Sequence, residues 1–181
     1  DMTNGYLASD GKCYCKDGYI WDNGNSKCIA QPILKSNSVE DIKNSVAEEK
    51  NKLTTIDKNL TNRLKGKILL QVEDKGQAWY VNPKDGKRHY MANGNEAYRI
   101  MRELGIGITN TDLEKINADT SFAKKHSGKI FLQVEDLGQA FYIDFDGNAH
   151  YLKDGNEAYN IMRDLGLGIT NNDLNKIDIK I

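Results

Sequence analysis

Residues 66–116 read GKILLQVEDKGQAWYVNPKDGKRHYMANGNEAYRIMRELGIGITNTDLEKI, and residues 128–177 read GKIFLQVEDLGQAFYIDFDGNAHYLKDGNEAYNIMRDLGLGITNNDLNKI. Roughly two-thirds of the aligned positions are identical, with one residue deleted in a turn, so the chain carries two copies of one unit. In the first copy Ile68, Leu70 and Val72 alternate with Leu69, Gln71 and Glu73, the period of a half-buried strand. Residues 78–81 read as a second, aromatic-rich strand. Asp85-Gly86, mirrored by Asp146-Gly147, marks a hairpin leading into a third strand at 88–91. Each unit thus opens as a three-stranded antiparallel meander. Asn95 is placed to cap a helix in which Ala97, Ile100, Met101 and Leu104 share one face, and Gly105 supplies its stop. Thr109 caps a last short helix, with Asp112 at the box position. The second copy repeats this pattern with Asn156, Ala158, Ile161, Met162, Leu165, Gly166, Thr170 and Asp173. The expected fold class is therefore α+β: two tandem βββαα repeats, each around its own small core.

Upstream, Ser38 and Asp41 form a near capping box. Val39, Ile42, Val46, Leu53, Ile56, Leu60 and Leu64 then follow at alternating spacings of three and four, with Glu49 a polar exception on the stripe. This predicts a long amphipathic helix over 38–65, ended by Gly66, that packs on the first repeat or self-associates as a coiled coil between chains. Residues 31–37 hold Pro32 and polar residues and read as a linker. The expected organisation is an N-terminal stub at 1–30, the linker, the helix, a first repeat at 66–117 and a second at 118–181. Phe122 aligns with Leu60, which predicts a short counterpart of the helix end before the second repeat.

The 181 residues are 39% hydrophobic and 28% charged, with net charge −1, which suits small units with much surface. A near-neutral balance disfavours an electrostatic nucleic-acid binder, and no apolar run is long enough to span a bilayer. The chain opens at Asp1 rather than on a methionine, which reads as a mature or excised fragment. All three cysteines, Cys13, Cys15 and Cys28, lie near the N-terminus. Their clustering suggests a disulfide staple and an oxidising compartment. Without a nearby His or a fourth Cys they cannot complete a tetrahedral zinc shell.

The stretch CYCKDGYIWDNGNSKC, with Cys13-x-Cys15, Gly18-Tyr19 and a closing Cys28, resembles the last part of an EGF-like module. That resemblance implies a Cys15–Cys28 bond and leaves Cys13 unpaired or with a partner elsewhere. The repeat itself resembles a module of predicted secreted and surface proteins of ultra-small candidate-phylum bacteria. The resemblance rests on Gly66-Lys67-Ile68, Gln71-Val72-Glu73, Ala78 to Val81 and Met101 to Gly105, with their equivalents in the second copy. It implies an extracellular or cell-surface location and a modular build, and brings no site residues.

Chemistry is sparse. His89 and His150 occupy one repeat position beside Tyr90 and Tyr151 and read as packing residues. No nucleophile elbow or phosphate loop is present. Glu73 and Asp74, like Glu135 and Asp136, are neighbours on a strand and point to opposite faces, which disfavours a facing acid pair. Asp144-x-Asp146-Gly147-Asn148 resembles part of a calcium loop but lacks the later bidentate Glu, and reads as a hairpin turn. No catalytic residue, metal site or cofactor is expected. The candidate ligand surface is aromatic and amide-bearing: Trp79, Leu69 and Gln71 with Phe141, Phe131 and Gln133, suited to a sugar ring or a partner protein. The expected function is a non-catalytic surface interaction or spacer module, whose partner is a cell-envelope component or another surface protein. The alternative is a cell-wall glycan-binding module of a larger secreted protein, and a hydrolase ranks last.

Overall fold

The structure, a computed structural model, describes residues 38–73, 76–136 and 138–180, and in the N-terminal segment the strands at 5–7, 13–15, 19–22 and 27–30. The chain divides into two compact units, Asp1–Ser36 and Asn37–Ile181. In the first, β1 (Gly5–Leu7) pairs antiparallel with β2 (Cys13–Cys15), and β3 (Tyr19–Asp22) with β4 (Lys27–Ala30). The Cys15–Cys28 bond and any partner of Cys13 rest on side chains outside the described residues, and the linker at 31–37 lies outside them too.

In the second unit, α1 (Val39–Asn51) starts on a full capping box, Ser38 Oγ accepting from Asp41 N–H and Asp41 Oδ2 from Ser38 N–H. The helix expected over 38–65 is, however, two helices. α1 closes at Lys52, and α2 (Lys58–Leu64) restarts at Asp57, whose carboxylate accepts from Asn59 and Leu60 N–H. The β-branched run Thr54-Thr55-Ile56 weakens the helix between them. There the N–H groups of Thr54 and Asp57 reach the carbonyls of Asn175 and Lys176 instead of the preceding turn. The stripe outlives the break, since Ile42, Val46, Leu53 and Leu60 pack on the same buried cluster as Leu64. These stripe residues thus pack within their own unit, the first of the two expectations, while Val39 and Ile56 of the stripe are exposed.

The first copy supplies β5 (Ile68–Gln71), β6 (Ala78–Val81), β7 (Arg88–Met91), α3 (Gly94–Glu103), β8 (Ile106–Ile108) and α4 (Asn110–Ala118). After α5 (Thr120–Lys124), the second supplies β9 (Ile130–Gln133), β10 (Ala140–Ile143), β11 (Ala149–Leu152), α6 (Gly155–Leu165), β12 (Leu167–Ile169) and α7 (Asn171–Leu174). The fold is α+β, with two four-stranded sheets in the orders β12-β5-β6-β7 and β8-β9-β10-β11.

Each meander is antiparallel, but its fourth strand comes from the other copy and runs parallel, with Gly168 opposite Leu70 and Gly107 opposite Leu132. The expected unit of three strands and two helices lacks this exchanged strand. Glycine makes the exchange possible. A Cβ on Gly105 would lie 2.5 Å from Leu132 Cγ, and one on Gly107 3.0 Å from Val134 Cγ1, so only a bare backbone approaches this closely.

The expectation of twin separate cores is also corrected. Ile68, Tyr80, Met91, Ile100 and Met101 of the first copy and Ile130, Tyr142, Leu152, Ile161 and Met162 of the second form one central cluster, with α3 against α6. Gly66 and Gly128, at φ 78° and 76°, meet backbone to backbone. Tyr80 Oη donates to Gly128 O at 2.7 Å and Tyr142 Oη to Gly66 O at 3.0 Å. Burial pushes both phenols well above their ordinary pKa, so they act as neutral donors. The caps of α3 and α6 lie two residues before the expected ones. Asn93 and Asp154, not Asn95 and Asn156, accept from Glu96 and Glu157 N–H. The early start brings Gly94 and Gly155 into contact, where a Cβ on either would strike the other copy.

Candidate functional site

The aromatic and amide surface expected to bind a ligand is not an open face. Trp79, Leu69, Gln71 and Phe131 are buried, and Phe141 and Gln133 are half-buried. On the first sheet both faces are covered, the inner one by the other copy and the outer one by helices, whereas the outer face of the second is covered only in part. The amides have a structural task. Gln71 Nε2 donates to Asn171 Oδ1 at 2.5 Å, and Gln133 Nε2 to Asn110 Oδ1 at 2.6 Å. Glu73 accepts from Asn171 N–H and Glu135 from Asn110 N–H. The shared Gln-Val-Glu motif therefore clasps the shared Ile-Thr-Asn motif of the opposite copy, at the start of α7 or α4.

The Asp144 loop is likewise satisfied from within. Asp144 Oδ1 accepts from the N–H groups of Asp146 and Asn148, while Oδ2 accepts from Asn148 Nδ2 and lies 2.8 Å from His150 Nε2. Burial works to raise this carboxyl, but the donors from His150, Asn148 and the turn outweigh it and hold the pKa down to about 2. Hydrogen-bond donors, not ion-coordinating oxygens, surround it. Among the described residues no group of three or more His, Cys, Asp or Glu side chains is placed to share an ion, and no helix is long and apolar enough to cross a membrane.

The outer face of the first sheet carries a buried ion pair. Arg88 Nη1 lies 3.2 Å from Glu49 Oε2, Arg88 Nε donates to Ile177 O, and the guanidinium sits 4.3 Å from the Trp79 ring centroid. Glu49 also pairs with Lys52 at 2.7 Å. The polar exception on the α1 stripe is thus the residue that neutralises a buried arginine, and it fixes α1 over β6 and β7.

Where α1 ends its cover, a groove of about 410 Å³ opens. Ile42, Val46 and Ala47 of α1 form one wall, Ile100 and Leu104 of α3 the other, and His89 and Tyr90 of β7 the floor. Arg99 at the rim is held by Glu96 and Glu103, each at 2.6 Å. Lys43, Lys50 and Lys180 also line it, and none has an ion-pair partner among the described residues. His89 is buried and its Nε2 has no hydrogen-bond partner. Burial pushes its pKa below the ordinary histidine value, which keeps the ring neutral near pH 7. Sequence reasoning missed this groove, since its walls come from three distant segments. Its trace in the sequence was the acidic residue on an apolar stripe together with Arg88 where the second copy has Ala149. No protein-family model, curated protein or solved structure matches the chain.

Proposed function

We propose that the chain is a non-catalytic interaction module of a secreted or cell-surface protein, and that it recognises a partner protein through the groove between α1, β7 and α3. The observation that carries this reading is the contrast between the motif residues and the groove. Gln71, Glu73, Gln133, Glu135, Tyr80, Tyr142 and Asp144 are engaged in holding the fold. The groove instead offers apolar walls with Lys43, Lys50 and Lys180, which have no ion-pair partner among the described residues, at its rim, a make-up that supports protein binding rather than acid–base chemistry. The EGF-like stretch and the clustered cysteines support the extracellular location.

The test is retention of solubilised envelope proteins on the immobilised full chain, compared with Val46→Arg, which places a charge in the groove wall. Retention by the wild type and loss in a folded variant is the expected result. Equal retention by both, or none by either, overturns the reading.

One observation favours the glycan alternative. Phe141 and Tyr151 stack at 5.3 Å on the second sheet, and Tyr151 is 42% exposed, as a sugar-stacking ring is. Binding of purified wall polysaccharide that Tyr151→Ala abolishes and Val46→Arg spares would favour that reading instead.

A further inference from the structure

β8 and β12 are edge strands, each hydrogen-bonded to one neighbour. Both run parallel to that neighbour, and they share one pattern, Ile106-Gly107-Ile108 and Leu167-Gly168-Ile169. In such a ladder alternate residues turn their N–H and C=O to the neighbour, and the residues between turn theirs away. Ile108 O accepts from Val134 N–H and Ile169 O from Val72 N–H, each at 3.1 Å, so these isoleucines serve the sheet. Gly107 and Gly168 therefore aim both backbone groups outward, and no described residue meets them. Both glycines are exposed. Thr109 and Thr170, also extended, turn their N–H groups the same way.

Natural sheets blunt such edges with a charge, a proline, a bulge or a covering element. Here the side chains along the edge are apolar and open. Ile106 is 51% exposed and Leu167 47%, while Val134 and Val72, on the opposite face beside the glycines, are each 63% exposed. Shortness is the remaining guard, so a single edge binds weakly. Carboxylates recur at the end of each edge. Glu135 accepts from Asn110 N–H and Asp112 lies in the first turn of α4, as Glu73 accepts from Asn171 N–H and Asp173 lies in the first turn of α7.

We propose that β8 and β12 are twin docking edges, each taking a short extended apolar segment of a partner protein, antiparallel to the edge and basic at its N-terminal end. The main chain of the segment pairs with Gly107 or Gly168. Its side chains alternate between the Ile106 and Val134 sides, or the Leu167 and Val72 sides. Antiparallel pairing is the more stable sense and sets the basic end beside the carboxylates. A second copy of this chain is the poorer occupant, because Arg102-Glu103 and Arg163-Asp164 leave its edges without a net positive end. Neither edge strand lines the groove, so this surface is independent of the one already described. Two edges on one chain gain avidity for a partner that carries the segment twice.

The test uses the full chain and a fluorescein-labelled peptide of two lysines followed by four valines, read by anisotropy and by sedimentation for stoichiometry. Two peptides are expected per chain. Ile106→Lys, which installs the usual edge guard, leaves one site, and Ile106→Lys/Leu167→Lys weakens binding about tenfold or more, with thermal melting confirming that both variants are folded. Val46→Arg leaves binding unchanged. Replacing the lysines by glutamates, or moving them to the C-terminal end, weakens binding about tenfold. Strand pairing uses the N–H groups of one alternate set of valines, so N-methylation of that set costs about tenfold while the other set is indifferent. Full binding to the folded double variant, or loss in Val46→Arg, overturns the twin edges. Equal binding of the two methylated peptides overturns strand pairing, equal binding of the glutamate peptide overturns the basic assignment, and no binding by any peptide overturns the proposal. Self-association of the chain that the double variant abolishes makes a second copy the occupant and overturns the partner segment.

Discussion

The two sheets share a plan and differ in what lies on their outer faces. On the first, Trp79 and Tyr90 are sealed beneath α1, and Arg88 is buried against Glu49. On the second, Phe141 and Tyr151 occupy the matching positions, Ala149 replaces Arg88, and Tyr151 is 42% exposed against 8% for Tyr90. The lesson is that duplicated sequence can be held to one central core while the outer faces diverge. Each outer face needs to agree only with whatever covers it. The charged pair is a device for seating one particular helix, and where that helix is missing, alanine suffices.

The sharpest way to break this comparison is to truncate the matched aromatics. Trp79→Ala is expected to cost about 4 kcal/mol and Phe141→Ala about 2 kcal/mol, because the second ring is already partly in water. Urea unfolding gives both values, and equal losses would mean that α1 adds no seal. Next, Glu49→Ala strands a buried guanidinium and is expected to cost about 3 kcal/mol. Glu49→Leu combined with Arg88→Ala, which copies the solution of the second sheet, should recover most of that loss. A double variant no better than Glu49→Ala would show that the arginine does more than meet its partner.

A third test uses acid. The folded pKa of Asp144 lies below its unfolded value, so its contribution is complete above about pH 4 and disappears as the pH falls through about 2. The first copy has Asn82 at this position and lacks the same acid window. Asp144→Asn is expected to remove that window and to cost about 2 kcal/mol at neutral pH, measured by urea midpoints across the range. His89 has its own dependence. Its folded pKa is lowered, so stability is present above the ordinary histidine pKa and declines as the pH falls below it. Asn82→Asp, which gives His89 the partner that His150 has, is expected to raise the His89 pKa, read by NMR titration. The smallest effect belongs to the clasps. Gln71→Ala and Gln133→Ala should each cost about 1 kcal/mol, nearly equally, since both hold the same bond between copies.

Local signals were legible in the sequence wherever the deciding contact is local. The capping box at Ser38, the caps at Thr109 and Thr170 and the three strands of each meander follow from neighbours a few residues apart. The exchanged strands were not legible. Ile106–Ile108 is too short to show a period, and its partner β9 begins at Ile130, beyond two helices. The break after Lys52 was hidden because Leu53, Ile56 and Leu60 continue the stripe across it. The expected ligand face failed for a related reason. Alternation places Trp79 and Tyr80 on opposite sides of a sheet, but whether both sides are covered depends on the other copy and on α1. The shared glycines carried a signal that went unread, since Gly66, Gly94 and Gly105 each mark a place where backbone or side chains of the other copy press close.

The reciprocal gift of β8 and β12 makes the pair a closed circuit, in which each copy gives one strand and receives one. A chain cut to one copy would keep both the socket and the plug, and could satisfy them only by embracing an identical molecule. A third copy added to the pair would bring a plug and a socket with no partner copy to exchange them with, so this exchange balances within a pair.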